Sequence, residues 1–150
     1  MAKADHVFIR QAIAMAEASA RAGGDLFGAL LVHEGEMVAS SIDKCIEYSD
    51  PTAHAELILI SEYCRSNRLI SLEGHTLYCN TEPCLMCSGA IHWARISRVV
   101  FSVSQKMLQD FSGGKPKPSC DHLLNTEQQR VEVSDHALKR EPKMSFRNDS

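Results

Sequence analysis

The sequence lacks long apolar runs, internal repeats and an excess of charge of either sign. No stretch approaches the roughly 20 consecutive apolar residues that a membrane-spanning helix needs, so we expect no membrane partner. The N-terminal segment, MAKADHVFIRQ, lacks the uninterrupted apolar core of a secretory signal, which favours a cytoplasmic location. The formal net charge of −3 provides no overall basic field, so charge alone does not indicate a nucleic-acid partner, although a local basic patch stays open.

The composition is that of an ordinary globular protein, with 44% hydrophobic and 23% charged residues. Its length of 150 residues is close to the usual size of one domain. We therefore expect residues 1–150 to form a single domain around one core.

Helical and strand periodicities alternate along the chain in the order helix, strand, strand, helix, strand, helix, strand. These segments span residues 5–21, 27–33, 37–42, 52–66, 76–80, 83–94 and 98–103. A loop at 113–118, a short helix at 120–124 and an edge strand at 131–133 follow, and 44–51 is loop-like. Alternating strands and helices imply crossover connections with helices packed on both sides of a mixed sheet. The sequence thus predicts an α/β fold, a three-layer α/β/α sandwich.

Six cysteines in a chain without an export signal are more typical of thiols or metal ligands than of disulfides. Four of them stand apart in the sequence and are expected to be small buried hydrophobic residues. These four are Cys45, Cys64, Cys79 and Cys120. Cys84 and Cys87 instead form a C-x-x-C pair, which needs a different explanation.

The C-x-x-C pair opens a predicted helix, where residues three apart lie on one face. Both a metal and the positive end of the helix dipole favour the thiolate forms of Cys84 and Cys87. His54, at the start of another predicted helix, supplies a third ligand if the two helices run side by side. Three protein ligands leave the fourth position of a tetrahedral zinc ion to water, which is the catalytic arrangement.

Glu56 lies two residues after His54, so on a helix the two side chains point in different directions. Glu56 is therefore badly placed to bind the same ion and well placed to move protons beside it. Zinc lowers the pKa of a bound water to about 7, and a neighbouring carboxylate can carry the proton to a ring nitrogen and a leaving amine. This pattern predicts hydrolytic deamination.

The two elements read His54-Ala55-Glu56, then 26 residues, then Pro83-Cys84-Leu85-Met86-Cys87. This spacing is typical of zinc-dependent deaminases. Together with FGALLV, DPTAHAE, TLYCNTEPCLMCSGAI and ARISRVVF between residues 27 and 103, it resembles the cytidine-deaminase-like superfamily. The chain is most similar to the branch of bacterial guanine deaminases and tRNA-specific adenosine deaminases. The resemblance implies a five-stranded sheet, one catalytic zinc ion per chain and a homodimer or larger oligomer.

The resemblance also implies which residues frame the substrate. They are Phe27, Asp43, Ala55, Glu82, Trp93 and Asp135. Relatives usually carry an asparagine 11 residues before the zinc histidine, where this chain has Asp43. An ionised aspartate only accepts hydrogen bonds, so it favours a substrate edge rich in N–H groups. The alternative is that Asp43 merely ends the second strand in a turn.

Three of these residues have a second interpretation. Trp93 lines the pocket, as an aromatic residue does in guanine deaminases, or belongs to the core. Phe27 stacks on a flat ring or is only packed. Asp135 reaches the substrate, or is a solvated surface residue.

The sequence thus predicts a zinc-dependent aminohydrolase acting on a small heteroaromatic amine, with a guanine-like purine base or nucleoside favoured. tRNA adenosine deamination and cytosine deamination are alternatives. The 134–150 tail has only scattered cations, whereas the tRNA enzymes carry a long arginine-rich helix, which argues against a nucleic-acid substrate without excluding it. A closed structural zinc site, completed by Cys79, His75, Cys120 or His122, and an inactive zinc-stabilised scaffold are the remaining alternatives.

Overall fold

The computed structural model describes residues 3–125 and 130–135, which form helices around one sheet. The helices in this part of the chain are α1 (Lys3–Arg21), α2 (Cys45–Tyr48), α3 (Ala55–Asn67), α4 (Leu85–Ala94), α5 (Gln105–Ser112) and α6 (Cys120–Leu124). The strands are β1 (Gly28–His33), β2 (Glu36–Ile42), β3 (Thr76–Thr81), β4 (Arg98–Val103) and β5 (Glu132–Asp135). No helix among these residues is long and apolar enough to cross a membrane.

The five strands form one mixed sheet in the order β2-β1-β3-β4-β5, as the resemblance implied. β1 is antiparallel to both of its neighbours, whereas β3, β4 and β5 are parallel. Consequently β1 begins, and the other four strands end, at the same edge of the sheet. We name this the upper edge. Ligands of open α/β sheets bind outside the carboxyl ends of the parallel strands, which here is the upper edge.

Side chains alternate between the two faces of the sheet, and each face is covered by helices. One face packs against α1 through Ile9, Ala12, Leu30, Val32, Tyr78 and Val100. The opposite face packs against α3, α4 and α6 through Ala29, Leu31, Leu59, Leu77, Ile91, Val99 and Leu124. The predicted three-layer α/β/α sandwich is therefore confirmed.

Helix α1 lies close against the sheet at Gly28, the first residue of β1. A Cβ atom there would lie 3.0 Å from the Ala12 oxygen and 3.0 Å from the Ala16 nitrogen. Only glycine fits this approach, and the geometry shows that position 28 faces α1.

A buried ion pair at the N-terminal end of α1 also holds this helix against the sheet. The Asp5 carboxylate is 2% exposed and accepts hydrogen bonds from Arg98 Nη1 at 2.6 Å and Nη2 at 2.7 Å. The Tyr78 hydroxyl also donates to it, at 2.6 Å. Two charge-assisted bonds from one guanidinium fix both the distance and the orientation of α1.

Two predicted helices begin later than expected. The 52–66 segment becomes helical only at Ala55, because the Asp50 side chain accepts bonds from the Thr52 N–H and hydroxyl at 2.8 and 2.7 Å, which closes a turn. The 83–94 segment becomes helical at Leu85. As a result, the residues that open the two helices, His54 and Cys84, occupy the N-cap positions.

Two short helices were missed. The predicted 44–51 loop contains α2, and α5 follows β4. Neither helix has a buried residue, and with four and eight residues both are shorter than the segments in which helical periodicity can be recognised.

Candidate metal centre

Two helix starts at the upper edge bring together His54, Cys84 and Cys87. His54 and Cys84 have the extended backbone of N-cap residues, so their side chains leave the helix ends, and Cys87 follows in the first turn of α4. His54 Nδ1 lies 3.5 Å from Cys84 Sγ and 3.6 Å from Cys87 Sγ. In a tetrahedral site with Zn–S near 2.3 Å and Zn–N near 2.0–2.1 Å, the nitrogen–sulfur separation is about 3.6 Å. The three side chains therefore fit a zinc ion, and we call them the metal triad.

The electrostatics of the triad favour a thiolate. Hydrogen bonds from Cys87, and then from His54, lower the pKa of Cys84 to about 3. The same contact with Cys84 raises the pKa of His54 and, together with burial, that of Cys87. The triad thus already holds a soft anionic ligand beside an imidazole, the donor set that zinc prefers.

Glu56 lies beside the triad and not within it. It is the second residue of α3 and only 6% exposed, and its Oε2 accepts a hydrogen bond from Cys87 Sγ at 3.4 Å. Burial raises the pKa of this carboxyl. A raised pKa favours the protonated form of the carboxyl, the form that a proton donor needs.

A second group of possible metal ligands is formed by Asp43, Cys45 and His54, whose ligand atoms all lie within 4.8 Å of one another. This group offers one sulfur and a carboxylate beside the imidazole, whereas the triad offers two sulfurs. Because zinc in proteins favours thiolate and imidazole ligands, the triad is the better site for the shared histidine.

The closed-site alternative needs a fourth protein ligand. Among the described residues, none of Cys79, His75, Cys120 and His122 belongs to a group whose possible ligand atoms all lie within 4.8 Å of one another. The described residues therefore leave the triad with three ligands.

Phe27 and Asp43 lie side by side at the upper edge. The Asp43 N–H donates to the Phe27 carbonyl at 3.2 Å, which continues the β1–β2 ladder by one pair. Directly opposed residues share a face, and because Gly28 faces α1, both side chains are on the α3–α4 face. A carboxylate oxygen of Asp43 lies within 4.8 Å of a His54 ring nitrogen.

Asp43 ends β2 in a turn, as one of the two alternatives held, and its role toward a substrate stays a prediction. Its Oδ1 accepts the Cys45 N–H at 3.0 Å, which closes the turn after β2. The residue is nevertheless 8% exposed, beside His54, and lines a cavity of about 380 Å³ together with the end of α1 and with Lys44. Ala55, the first residue of α3, is 1% exposed next to the triad.

Glu82 lies at the upper edge, but its carboxylate accepts hydrogen bonds from the first residues of α5 and α6. Its Oε1 accepts the Gln105 N–H at 2.9 Å, and its Oε2 accepts the Cys120 N–H at 2.5 Å. Both oxygens therefore fasten the starts of α5 and α6.

The structure does not bring Trp93 to the triad. It lies nine residues along α4 from Cys84, a rise of about 13.5 Å. Its side chain is 82% exposed, so assignment to the core is wrong, because the buried face of α4 is formed by Cys87, Ser88, Ile91 and Ala94.

Asp135 ends β5 at the upper edge, where it is exposed and pairs with Phe101. With Glu82 it lines a second cavity, of about 420 Å³. It lies two strands from β3, a lateral separation of about 9.5 Å, and so it is not part of the metal triad's surroundings. Residues 136–150, which hold most of the tail considered above, lie outside the described residues.

Sequence reasoning missed Asn80. This residue of β3 is 0% exposed, and its Oδ1 accepts the Gly28 N–H at 2.9 Å while its Nδ2 donates to the Leu26 carbonyl at 2.9 Å. The available signal was a side-chain amide near the end of the buried LYCNT strand, because such a group requires buried partners.

Comparisons with known proteins agree with this geometry. The family model for the "Cytidine and deoxycytidylate deaminase zinc-binding region" matches residues 2–103. The chain is 40% identical over 99 residues to a tRNA-specific adenosine deaminase of Aquifex aeolicus (strain VF5), covering 66% of each chain. It is 38% identical over 96 residues to a guanine deaminase of Bacillus subtilis (strain 168), covering 63% of this chain and 62% of the relative. It therefore spans about two thirds of the length of these relatives.

A solved structure from a study of A-to-I editing by tRNA:A34 deaminases has the same fold. It superimposes with a TM-score of 0.73 at 28% identity, covering 87% of this chain and 98% of the other. The family match covers more than half of the chain and includes both helix starts of the metal triad. The chain belongs to the cytidine and deoxycytidylate deaminase family and carries its zinc-binding region.

Proposed function

We propose that the protein is a zinc-dependent aminohydrolase that removes the exocyclic amine of a nucleobase or nucleoside, with a guanine-like purine favoured. The observation that carries this proposal is a three-ligand metal triad with a buried carboxyl, Glu56, beside it. His54, Cys84 and Cys87 hold one zinc ion per chain. When bound, the ion supplies a water molecule acidic enough to act as a nucleophile at neutral pH.

Glu56 acts as the general acid and base. It accepts one proton of the attacking water and passes it to a ring nitrogen, and it then takes the remaining hydroxyl proton and passes it to the leaving amine. A C–O bond forms, the C–N bond to the amine breaks, and ammonia leaves, so no oxidant or further reactant is needed. Glu56 is buried beside the triad, on the first turn of α3, which places its carboxyl within reach of both transfers.

The upper edge orients the ring. Phe27 stacks on one face of the heterocycle, and Asp43 accepts hydrogen bonds from N–H groups on its edge. The backbone N–H of Ala55, in the first turn of α3, has no acceptor within the helix and is available to the substrate. Glu82 contributes by fixing the neighbouring helix starts, and Asp135 contributes from the adjacent cavity if the ligand extends there.

tRNA adenosine deamination is the second candidate. It is favoured by the 40% identity to the Aquifex tRNA-specific adenosine deaminase and by the 98% coverage of the tRNA:A34 deaminase structure. Cytosine or another amino-heterocycle remains a further candidate, because ring selection depends on few contacts.

One experiment separates these candidates. Ammonia release is measured with the zinc-loaded protein on guanine, adenine, cytosine, their nucleosides and an adenosine-containing anticodon stem-loop. Turnover of free bases that is insensitive to salt supports the purine proposal. Turnover of the stem-loop alone, falling steeply with salt, supports the tRNA candidate, because phosphate contacts are salt-dependent. No ammonia from any substrate, at full zinc occupancy, refutes the enzyme proposal in favour of a scaffold.

We also propose that the protein is a homodimer, in which α4 packs against α4 of a second copy. Leu85, Gly89 and Trp93 lie four residues apart on one face of α4, and the two large side chains are 68% and 82% exposed. Around Gly89 there is open space for a partner. Antiparallel pairing across a twofold axis would set the leucine of each copy against the tryptophan of the other, which is self-complementary. Trp93→Glu is expected to give a monomer by sedimentation.

All six cysteines lie in the described part of the chain and carry free thiols. This supports the proposal that the protein works in the reducing cytoplasm.

A further inference from the structure

Asn80 connects β3 to the segment that carries Phe27. Its side-chain amide bonds both the Leu26 carbonyl and the Gly28 N–H, at 2.9 Å each, and so brackets Phe27 in the chain. Only one orientation of the amide satisfies both groups, since the oxygen must face the N–H and the NH₂ must face the carbonyl. These bonds continue the β1–β3 pairing beyond its last paired residues, Ala29 and Cys79.

The bracketed backbone is held from two further sides. Gly28 lies against α1 with no room for a Cβ atom, and the Phe27 carbonyl accepts the Asp43 N–H at 3.2 Å. Asn80 therefore acts on Asp43 as well, through the Phe27 backbone. The metal triad and Glu56, by contrast, are carried by α3 and α4.

We propose that Asn80 is a positioning residue for substrate recognition: it fixes residues 26–28 so that Phe27 and Asp43 meet the heterocycle. This rests on the proposed function, because Phe27 and Asp43 have a ring to recognise only in a deaminase. Asn80 itself is fully buried and touches no substrate.

The test variant is Asn80→Ala, which leaves the Leu26 carbonyl and the Gly28 N–H without their buried partner. Because unpaired buried groups are costly, the segment should shift, and KM for the best substrate should rise about tenfold or more. We expect kcat to stay within about threefold and zinc content to stay unchanged, since α3 and α4 are untouched. A merely structural role would instead lower the active fraction, and thus apparent kcat, at constant KM.

Tyr78→Phe is the matched control. Tyr78 lies on the same strand and is also buried, but its hydroxyl binds Asp5 on α1 and not residues 26–28. This variant should lose stability without a change in KM. The proposal would be overturned if Asn80→Ala had the same KM as the wild type. It would also be overturned if KM rose equally in Asn80→Ala and Tyr78→Phe.

Amide hydrogen exchange supplies a readout that does not depend on turnover. In Asn80→Ala the N–H groups of Gly28 and Asp43 should exchange faster, while that of Leu30, in the middle of β1, should not. Unchanged exchange at Gly28 and Asp43 overturns the proposal even if KM rises. If the wild-type protein has no deaminase activity, the proposed function is refuted. Amide hydrogen exchange at Gly28 and Asp43 then still decides whether Asn80 holds residues 26–28 in place. If Asn80→Ala does not fold, Asn80→Ser keeps a small polar group there and should show the same changes at lower amplitude.

Discussion

Cys87 Sγ lies 3.4 Å from Oε2 of Glu56, so one side chain of the metal triad also contacts the proposed acid–base residue. The two residues come from different helices, α4 and α3, 31 positions apart. The proposed metal ligands and the proposed acid–base residue thus come from the same pair of helix starts.

Glu56→Gln should abolish turnover and leave zinc bound. The amide keeps the shape of the side chain but cannot carry the proton, and such groups contribute about 10²–10⁴-fold to rate. Ammonia release and zinc content are measured on the same preparation. Turnover within about threefold of wild type would remove Glu56 from the mechanism.

Cys84→Ala should lose most of its zinc, because it removes one of the two sulfur ligands of the triad. Metal analysis after dialysis measures the loss. Cys64→Ala is the matched control, since Cys64 is a half-buried cysteine of α3 outside the triad. Full zinc occupancy of Cys84→Ala would contradict the proposed ligand set.

Arg98→Met should destabilise the protein by about 3 kcal/mol, because it leaves the Asp5 carboxylate buried without its ion partner. Urea unfolding measures the change. Glu132→Gln removes a second, exposed carboxylate partner of Arg98, at 3.1 Å, and should cost less than about 1 kcal/mol. Equal losses in the two variants would show that burial of Asp5 does not matter.

Thr81→Val should stabilise the protein by about 1 kcal/mol. The Thr81 hydroxyl is buried and has no hydrogen-bond partner among the described residues, and valine has the same shape without the polar atom. Thr76→Val, at the half-buried start of the same strand, should change stability little. A destabilised Thr81→Val would mean that the hydroxyl is hydrogen-bonded in solution.

Stability should fall as the pH drops below about 6.5, partly through His75. Burial lowers the pKa of this histidine, which stacks on His33 with ring centroids 4.1 Å apart. At this histidine the unfolded chain therefore binds a proton more readily than the folded protein does. The contribution of neutral His75 to stability is complete above the pKa that the histidine has in the unfolded chain, and it is lost as the pH falls below that value. Unfolding at pH 7.5 and pH 5.5 measures the difference, which should shrink in His75→Gln. The same difference in both proteins would assign the effect to other groups.

The local parts of the site could be predicted from the sequence. Cys84 and Cys87 share a face because they are three residues apart at a helix start, and Glu56 diverges from His54 because they are two apart. These consequences of helix geometry do not depend on the rest of the chain. The sheet was predictable for a similar reason, since its strands are short segments of strand character separated by a turn or by longer helical segments.

Contacts between distant segments could not be predicted. Asn80 meets Gly28 across 52 residues, and Glu82 meets Cys120 across 38, so both depend on strand register and on helix placement. Trp93 was misplaced because periodicity does not say which face of α4 has a partner in the chain. Sequence therefore determined which chemistry this protein carries, because ligand spacing is local. Tertiary structure decided what surrounds that chemistry, because side-chain partners are chosen only when the sheet and helices pack.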